Sequence, residues 1–100
     1  MNPVEFLQSW FQAQSNGEWE RARGITIETL DIPAWMVTID LAGTALAGRA
    51  MTAIQHEGSA TDWLLCEVEH NQFSGQGDSR KLLVILEVFQ RWVTEAAKLE

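Results

Sequence analysis

Two stretches of strict alternation, separated by a proline turn, limit what this chain can fold into more than any other feature. Residues 24–30 (G-I-T-I-E-T-L) put Ile25 and Ile27 on one side and Thr26 and Glu28 on the other. Residues 35–41 repeat the period, with Trp35, Val37, Ile39 and Leu41 on one side and Met36, Thr38 and Asp40 on the other. Only an extended backbone sends every second side chain the same way, so both runs read as half-buried strands. Between them lies Asp31-Ile32-Pro33-Ala34. Proline has no N–H to donate to a central ladder, so this piece is a turn and the two strands form a hairpin.

Helical periods flank this β region. Asn2-Pro3-Val4-Glu5 carries a capping residue, a first-turn proline and a Glu placed to close a capping box. Val4, Leu7, Trp10, Phe11 and Gln14 then recur at helical spacing until Ser15-Asn16-Gly17 ends the run. Residues 18–23 read as an irregular link carrying Trp19. Residues 42–48 read as a small-residue loop anchored by Leu46, and 49–57 as a weaker strand. After a turn at 58–61, residues 62–69 alternate again. Leu64, Cys66 and Val68 point to the core, and Trp63, Leu65, Glu67 and Glu69 point away. Residues 71–78 read as a Gly-rich loop with at most a short strand at Phe73. Asp78 or Ser79 is placed to cap a last helix whose apolar positions are Leu82, Ile85, Leu86, Phe89, Trp92, Val93 and Ala96. The expectation is an α+β fold: an antiparallel β-meander of about four strands, with an N-terminal and a C-terminal helix packed on one face. Residues 1–98 form one domain in this reading, and Leu99-Glu100 is read as an expression-tag remnant of no functional weight.

Composition narrows the function classes. The chain has 100 residues, 46% hydrophobic and 21% charged, which suits one globular core. It has no apolar run of the ~18 residues that span a bilayer. Its first residues lack the basic and apolar regions of a signal peptide, so the expected location is cytoplasmic, with no membrane partner. One cysteine forms no internal disulfide, and two histidines with Cys66 make no convincing zinc site. Neither a metal nor a cofactor is expected. The net charge is −7, and it concentrates in residues 24–69. There Glu28, Asp31, Asp40, Glu57, Asp62, Glu67 and Glu69 face a single base, Arg49. Nucleic-acid binding needs clustered Lys and Arg, so it is not expected; a basic protein partner is compatible with this charge.

Residues with chemical potential are few. Gly75-Gln76-Gly77 lacks the rest of a phosphate-loop pattern, despite Arg80 and Lys81 nearby. Cys66, with His56 or His70 as base, would need to be an exposed thiolate, yet it keeps register with Leu64 and Val68. Glu67 and Glu69 share a strand face but read as solvated rather than as an acid–base pair. A catalytic constellation is therefore not the leading reading, and the chain is expected to be a binder rather than an enzyme. Among five tryptophans, Trp10, Trp35 and Trp92 fall on core faces, whereas Trp19 and Trp63 do not and are candidate interface anchors.

Three blocks then suggest a family. Leu7-Gln8-Ser9-Trp10-Phe11, Asn16-Gly17-Glu18-Trp19-Glu20 and residues 24–31 (G-I-T-I-E-T-L-D) resemble the opening of the Immunity protein 53 family of bacterial polymorphic toxin systems. The likeness continues through Pro33-Ala34-Trp35, residues 38–41, Asp62-Trp63, Cys66-Glu67-Val68, Phe73-Ser74-Gly75 and the last helix. The chain departs from the family at Arg23-Gly24, where Tyr-Gly is frequent, at Ala34-Trp35, where Gly-Trp is common, and in its Ala-rich 41–51 segment. The resemblance implies an immunity protein that binds and neutralises a cognate toxin domain, such as a basic nuclease, as a monomer or a homodimer. The residues expected to meet that partner are Glu18, Trp19, Glu20, Glu28, Asp31, Asp40, Trp63 and Glu67. The alternative is a small ligand-binding domain or enzyme with a pocket near the 73–78 loop, lined by His70, Cys66 and Arg80.

Overall fold

The first turn of the chain satisfies its own backbone. Asn2 caps helix α1 (Pro3–Gln14), its side-chain oxygen accepting the Glu5 N–H at 2.8 Å while Glu5 accepts the Asn2 N–H at 3.4 Å. The structure is a computed structural model that describes residues 1–98. Leu99-Glu100, the expected tag remnant, lies outside the described residues. After α1 the chain turns through Gly17, at φ +94°, into a single helical turn, α2 (Trp19–Ala22).

The hairpin read from the alternation is present. Strand β1 (Ile25–Thr29) pairs antiparallel with β2 (Ala34–Asp40), with Ile27 opposite Val37, and the Leu30 N–H donates to the Ala34 carbonyl across the proline turn. Strand β3 (Ile54–Ser59) begins five residues later than the expected start at 49. The reason is tertiary: the Trp92 indole N–H donates to the Ala50 carbonyl at 3.1 Å, which draws this segment toward the last helix. Strand β4 (Asp62–Glu69) keeps the expected bounds and parity.

The main departure is residues 72–78. They form a full strand, β5 (Gln72–Asp78), hydrogen-bonded between β2 and β4 at the centre of the sheet. The link from β4 to β5 is the two-residue turn His70-Asn71, both at positive φ, the geometry of a tight hairpin. Gly75 and Gly77 sit within the strand because helix α3 (Leu82–Lys98) passes close above it. A Cβ on Gly75 would overlap the Ile85 Cγ2 methyl, and one on Gly77 would overlap the Lys81 side chain. Glycine here serves a close approach, not a loop.

The five strands run in the order β1-β2-β5-β4-β3, all neighbours antiparallel. The expected α+β class with terminal helices is therefore present, with five strands rather than about four. The connectivity departs from a simple meander because the last strand inserts beside β2. Residues 41–53 consequently pass the end of the sheet to reach the far edge. Asn71 steadies that crossing: its carbonyl accepts the Leu41 N–H at 2.8 Å and its side chain accepts the Gly48 N–H at 2.7 Å.

One core lies between the sheet and the helices. Val37, Ile39, Cys66 and Phe73 from the sheet meet Ile85, Phe89 and Trp92 from α3 and Trp10 from α1. Phe89 is the centre of the aromatic packing, edge-on to Trp10 and Phe73, each at 5.2 Å between ring centroids. Gly75→Ala should destabilise the fold by about 1–3 kcal/mol through overpacking. The urea midpoint measures it, and the cost should shrink in an Ile85→Ala background, because the clashing methyl is then gone.

Candidate partner-binding surface

Register decides which side chains share the face of the sheet opposite the helices. Glu28, Met36, Gln76, Leu65 and Gln55 form one row across all five strands. Thr26, Thr38, Ser74 and Glu67 form the next, followed by Asp40, Gln72 and Glu69. Trp63 lies opposite Glu57 toward the other end. Among the described residues no helix packs on this face, and Met36, Trp63 and Leu65 remain half-buried by their neighbours alone. The strands present Glu28, Asp40, Glu57, Glu67 and Glu69 here, with no Lys or Arg among the strand residues on this face. An isolated carboxylate in water is ordinary; several on one side of a small sheet, with no cation interleaved, give a field of one sign.

The expected contact residues divide accordingly. Glu28, Asp40, Trp63 and Glu67 come together on the uncovered face. Asp40 is half-buried and holds structure, its Oδ2 accepting the Gly24 N–H at 3.0 Å and its Oδ1 the Gln72 amide at 3.1 Å. Asp31 is exposed in the turn between β1 and β2, and Glu18 is exposed ahead of α2. Glu20 folds back on its own turn, accepting the Asn16 and Gly17 N–H groups at 2.9 and 2.8 Å. Backbone N–H donors, its own first and then those of Asn16 and Gly17, hold its carboxyl below the usual range against some desolvation.

Trp19 corrects the expectation of an exposed anchor. It is buried, edge-on to Trp10 at 5.7 Å, with its indole N–H donating to the Ala42 carbonyl at 3.0 Å. The link that seemed to leave it outside folds into α2 and turns it inward, where a large ring with one satisfied donor packs well. Two acids of the uncovered face were not among the expected contacts. Glu69 shares parity with Glu67, a signal present in the sequence. Glu57 needed the register of β3, which the weak 49–57 pattern did not supply.

One end of the face is tied down by a buried carboxylate. Asp78 is 2% exposed; its Oδ2 accepts Lys81 Nζ at 2.6 Å and the Trp63 N–H at 2.9 Å, and its Oδ1 accepts the Arg80 N–H at 2.9 Å. Asp78 thus ends β5 and closes the turn into α3, rather than capping the helix directly; α3 begins at Leu82, and the Lys81 carbonyl accepts the Ile85 N–H. Lys81, ahead of the two backbone donors, holds the Asp78 carboxyl at about 2 against desolvation. Lys81 Nζ also reaches Asp62 Oδ1 at 2.9 Å, and Asp62 Oδ2 lies 3.0 Å from His56 Nε2. These links brace the backbone of Trp63 from beneath.

The alternative pocket is absent from its expected place. The 73–78 segment is a central strand, Phe73 and Cys66 are fully buried, and His70 and Arg80 lie in turns at opposite ends of β5. Burial pushes the Cys66 thiol up to about 12, so it holds its proton at neutral pH and is a poor nucleophile. Among the described residues no group of three or more His, Cys, Asp or Glu is placed to hold a metal, and no helix is long and apolar enough to cross a membrane.

In comparison with known families, residues 4–94 match the model described as Immunity protein 53. No curated protein and no solved structure matches the chain.

Two predictions follow the buried groups. Asp78 has a depressed carboxyl, so its contribution is full above its ordinary value of 3.8 and is lost as pH falls through about 2. Urea midpoints measured across that acid window should fall for the native chain. They should fall less for Asp78→Asn, which starts from a lower stability. Cys66 should resist an aromatic disulfide reagent in the folded protein and react only after denaturant unfolds it, as followed by thiolate release.

Proposed function

The chain belongs to the Immunity protein 53 family, and from that premise we propose that it neutralises a cognate toxin by docking the uncovered acidic face of its sheet on a basic surface of the toxin. The observation that carries this reading is the register, which gathers Glu28, Asp40, Glu57, Glu67 and Glu69 around Met36, Trp63 and Leu65. An apolar centre with a charged surround is the usual anatomy of a specific protein interface. Trp63 is the anchor, its backbone held by Asp78. Glu28, Glu57, Glu67 and Glu69 steer the encounter and pair with cations of the toxin. Asp40 contributes charge while fixing the entry to β1.

Inhibition in this scheme is occlusion, with no covalent step. If the toxin is a nuclease, its active site already carries cations that meet phosphates, and the carboxylates of the sheet would stand in the place of those phosphates. Trp19 supports the fold behind this face and makes no partner contact. Glu18, Glu20 and Asp31 lie outside the patch and act, at most, through the long-range field. The protein would work in the cytoplasm, where a toxin must be met before it damages its producer.

The test is a charge reversal on residues whose side chains make no hydrogen bond or ion pair among the described residues. Glu28→Lys combined with Glu67→Lys should leave the thermal melt nearly unchanged. Its association with its cognate toxin domain should slow by roughly tenfold or more, with a weaker salt dependence. Protection of cells expressing that toxin should be lost. Full protection by the double variant would sink the acidic-face reading.

A further inference from the structure

Strand β1 forms one edge of the sheet, and nothing in it discourages further pairing. Its outer side meets no strand among the described residues, and every residue but Ile25 is exposed. The opposite edge, β3, carries a bulge between Glu57 and Ser59, which interrupts a ladder. Strand β1 keeps an unbroken register and holds no proline, lysine or glycine. Ile25, Thr26, Ile27 and Thr29 are all β-branched, which suits a paired strand.

The backbone of this edge matches itself. The Asp40 N–H donates to the Gly24 carbonyl and the Leu30 N–H donates to the Ala34 carbonyl, so the even-numbered residues turn their peptide groups toward β2. In an antiparallel ladder the residues between them turn theirs away. Ile25, Ile27 and Thr29 therefore hold the N–H and C=O groups of the open edge, with Ile27 at the centre. A second β1 related by a two-fold axis at Ile27 puts Ile27 opposite Ile27 and Ile25 opposite Thr29. Each pair then exchanges both of its hydrogen bonds.

The side chains agree with that register. Ile27 lies opposite the fully buried Val37, on the helix side of the sheet, yet it is 43% exposed. Beside it Leu7, Gln8, Phe11 and Ile25 line a shallow depression of about 250 Å³, and Phe11 is exposed as well. The two-fold brings two such apolar edges together on one side of the joined sheet and removes them from water. On the other side Glu28 falls opposite Thr26, so no carboxylate directly faces another. Just past the strand ends the same register carries Arg23 to Asp31 of the second copy, and the reverse. Both residues are exposed, and neither side chain has a partner among the described residues. At physiological ionic strength charges more than about 8 Å apart are largely screened, so the net charge of −7 weighs less than what meets along the edge.

We propose that β1 is a self-pairing edge: two copies of this chain join antiparallel through residues 25–29 into one continuous sheet, with Arg23 and Asp31 paired at its ends. The axis stands perpendicular to the sheet, so both acidic faces stay open and look the same way. The pairing does not depend on what those faces bind.

The test uses the full chain with no toxin present. Sedimentation equilibrium from micromolar to millimolar concentration should show monomer passing to dimer. Amide exchange at Ile25, Ile27 and Thr29 should slow as concentration rises, while Thr26 and Glu28, already bonded to β2, change little. Ile27→Lys should weaken the dimer by roughly tenfold or more with an unchanged circular dichroism spectrum. Arg23→Asp and Asp31→Arg should each weaken it by roughly threefold or more. The double exchange should restore it, which a general loss of folding would not do. The proposal is overturned by a monomeric mass at millimolar concentration, by a dimer whose newly protected amides lie on β3, or by a double exchange no tighter than the single variants. It falls as well if the chain is monomeric and Ile27→Lys no longer binds its toxin, because the edge would then take a toxin strand.

Discussion

The contact between β5 and α3 sets the architecture. At Gly75 the strand has no side chain, and Ile85 of the helix occupies the space a Cβ would need. That approach brings Phe89 down onto Phe73 and lets Trp10 close against it from α1. A layer packed this closely fully buries Val37, Ile39, Cys66 and Phe73 at the centre of one side of the sheet. Among the described residues nothing covers the other side, and β3 is left beyond the helix. The uncovered face is therefore a consequence of where the helix had to sit.

Charge is divided between structural and free groups. Asp40 and Asp78 are spent on backbone N–H donors at Gly24, Trp63 and Arg80, where a carboxylate bonded to N–H groups is stronger than a neutral acceptor would be. Glu28, Glu67 and Glu69 have no such duty and remain on the uncovered face. Like charges repel, which lowers the stability of the isolated sheet slightly. In the proposed docking, a cationic surface of the toxin would offset that repulsion.

Much of the fold was legible along the chain because its signals are local. Period two in residues 24–30 and 35–41 defined the hairpin, and period two in 62–69 defined β4 and placed Glu67 and Glu69 on the same side. The Asn2 and Glu5 capping box marked the start of α1. Residues 72–78 were misread because Gly75 and Gly77 are breakers by intrinsic preference, and their reason for being in a strand lies in a helix that comes later. Trp19 was misread for the same kind of reason: its partner carbonyl, on Ala42, is far away in sequence.

By itself, then, the sequence determined the element types wherever periodicity and caps act over a few residues, together with an acidic middle. Tertiary structure alone decided that Glu28, Asp40, Glu57 and Glu67 share one face, that Trp19 is inside, and that β3 stands clear of the helices. Side-chain parity is a property of one strand, whereas a shared face depends on the register between strands, and register is set by hydrogen bonds and packing between residues distant in the chain.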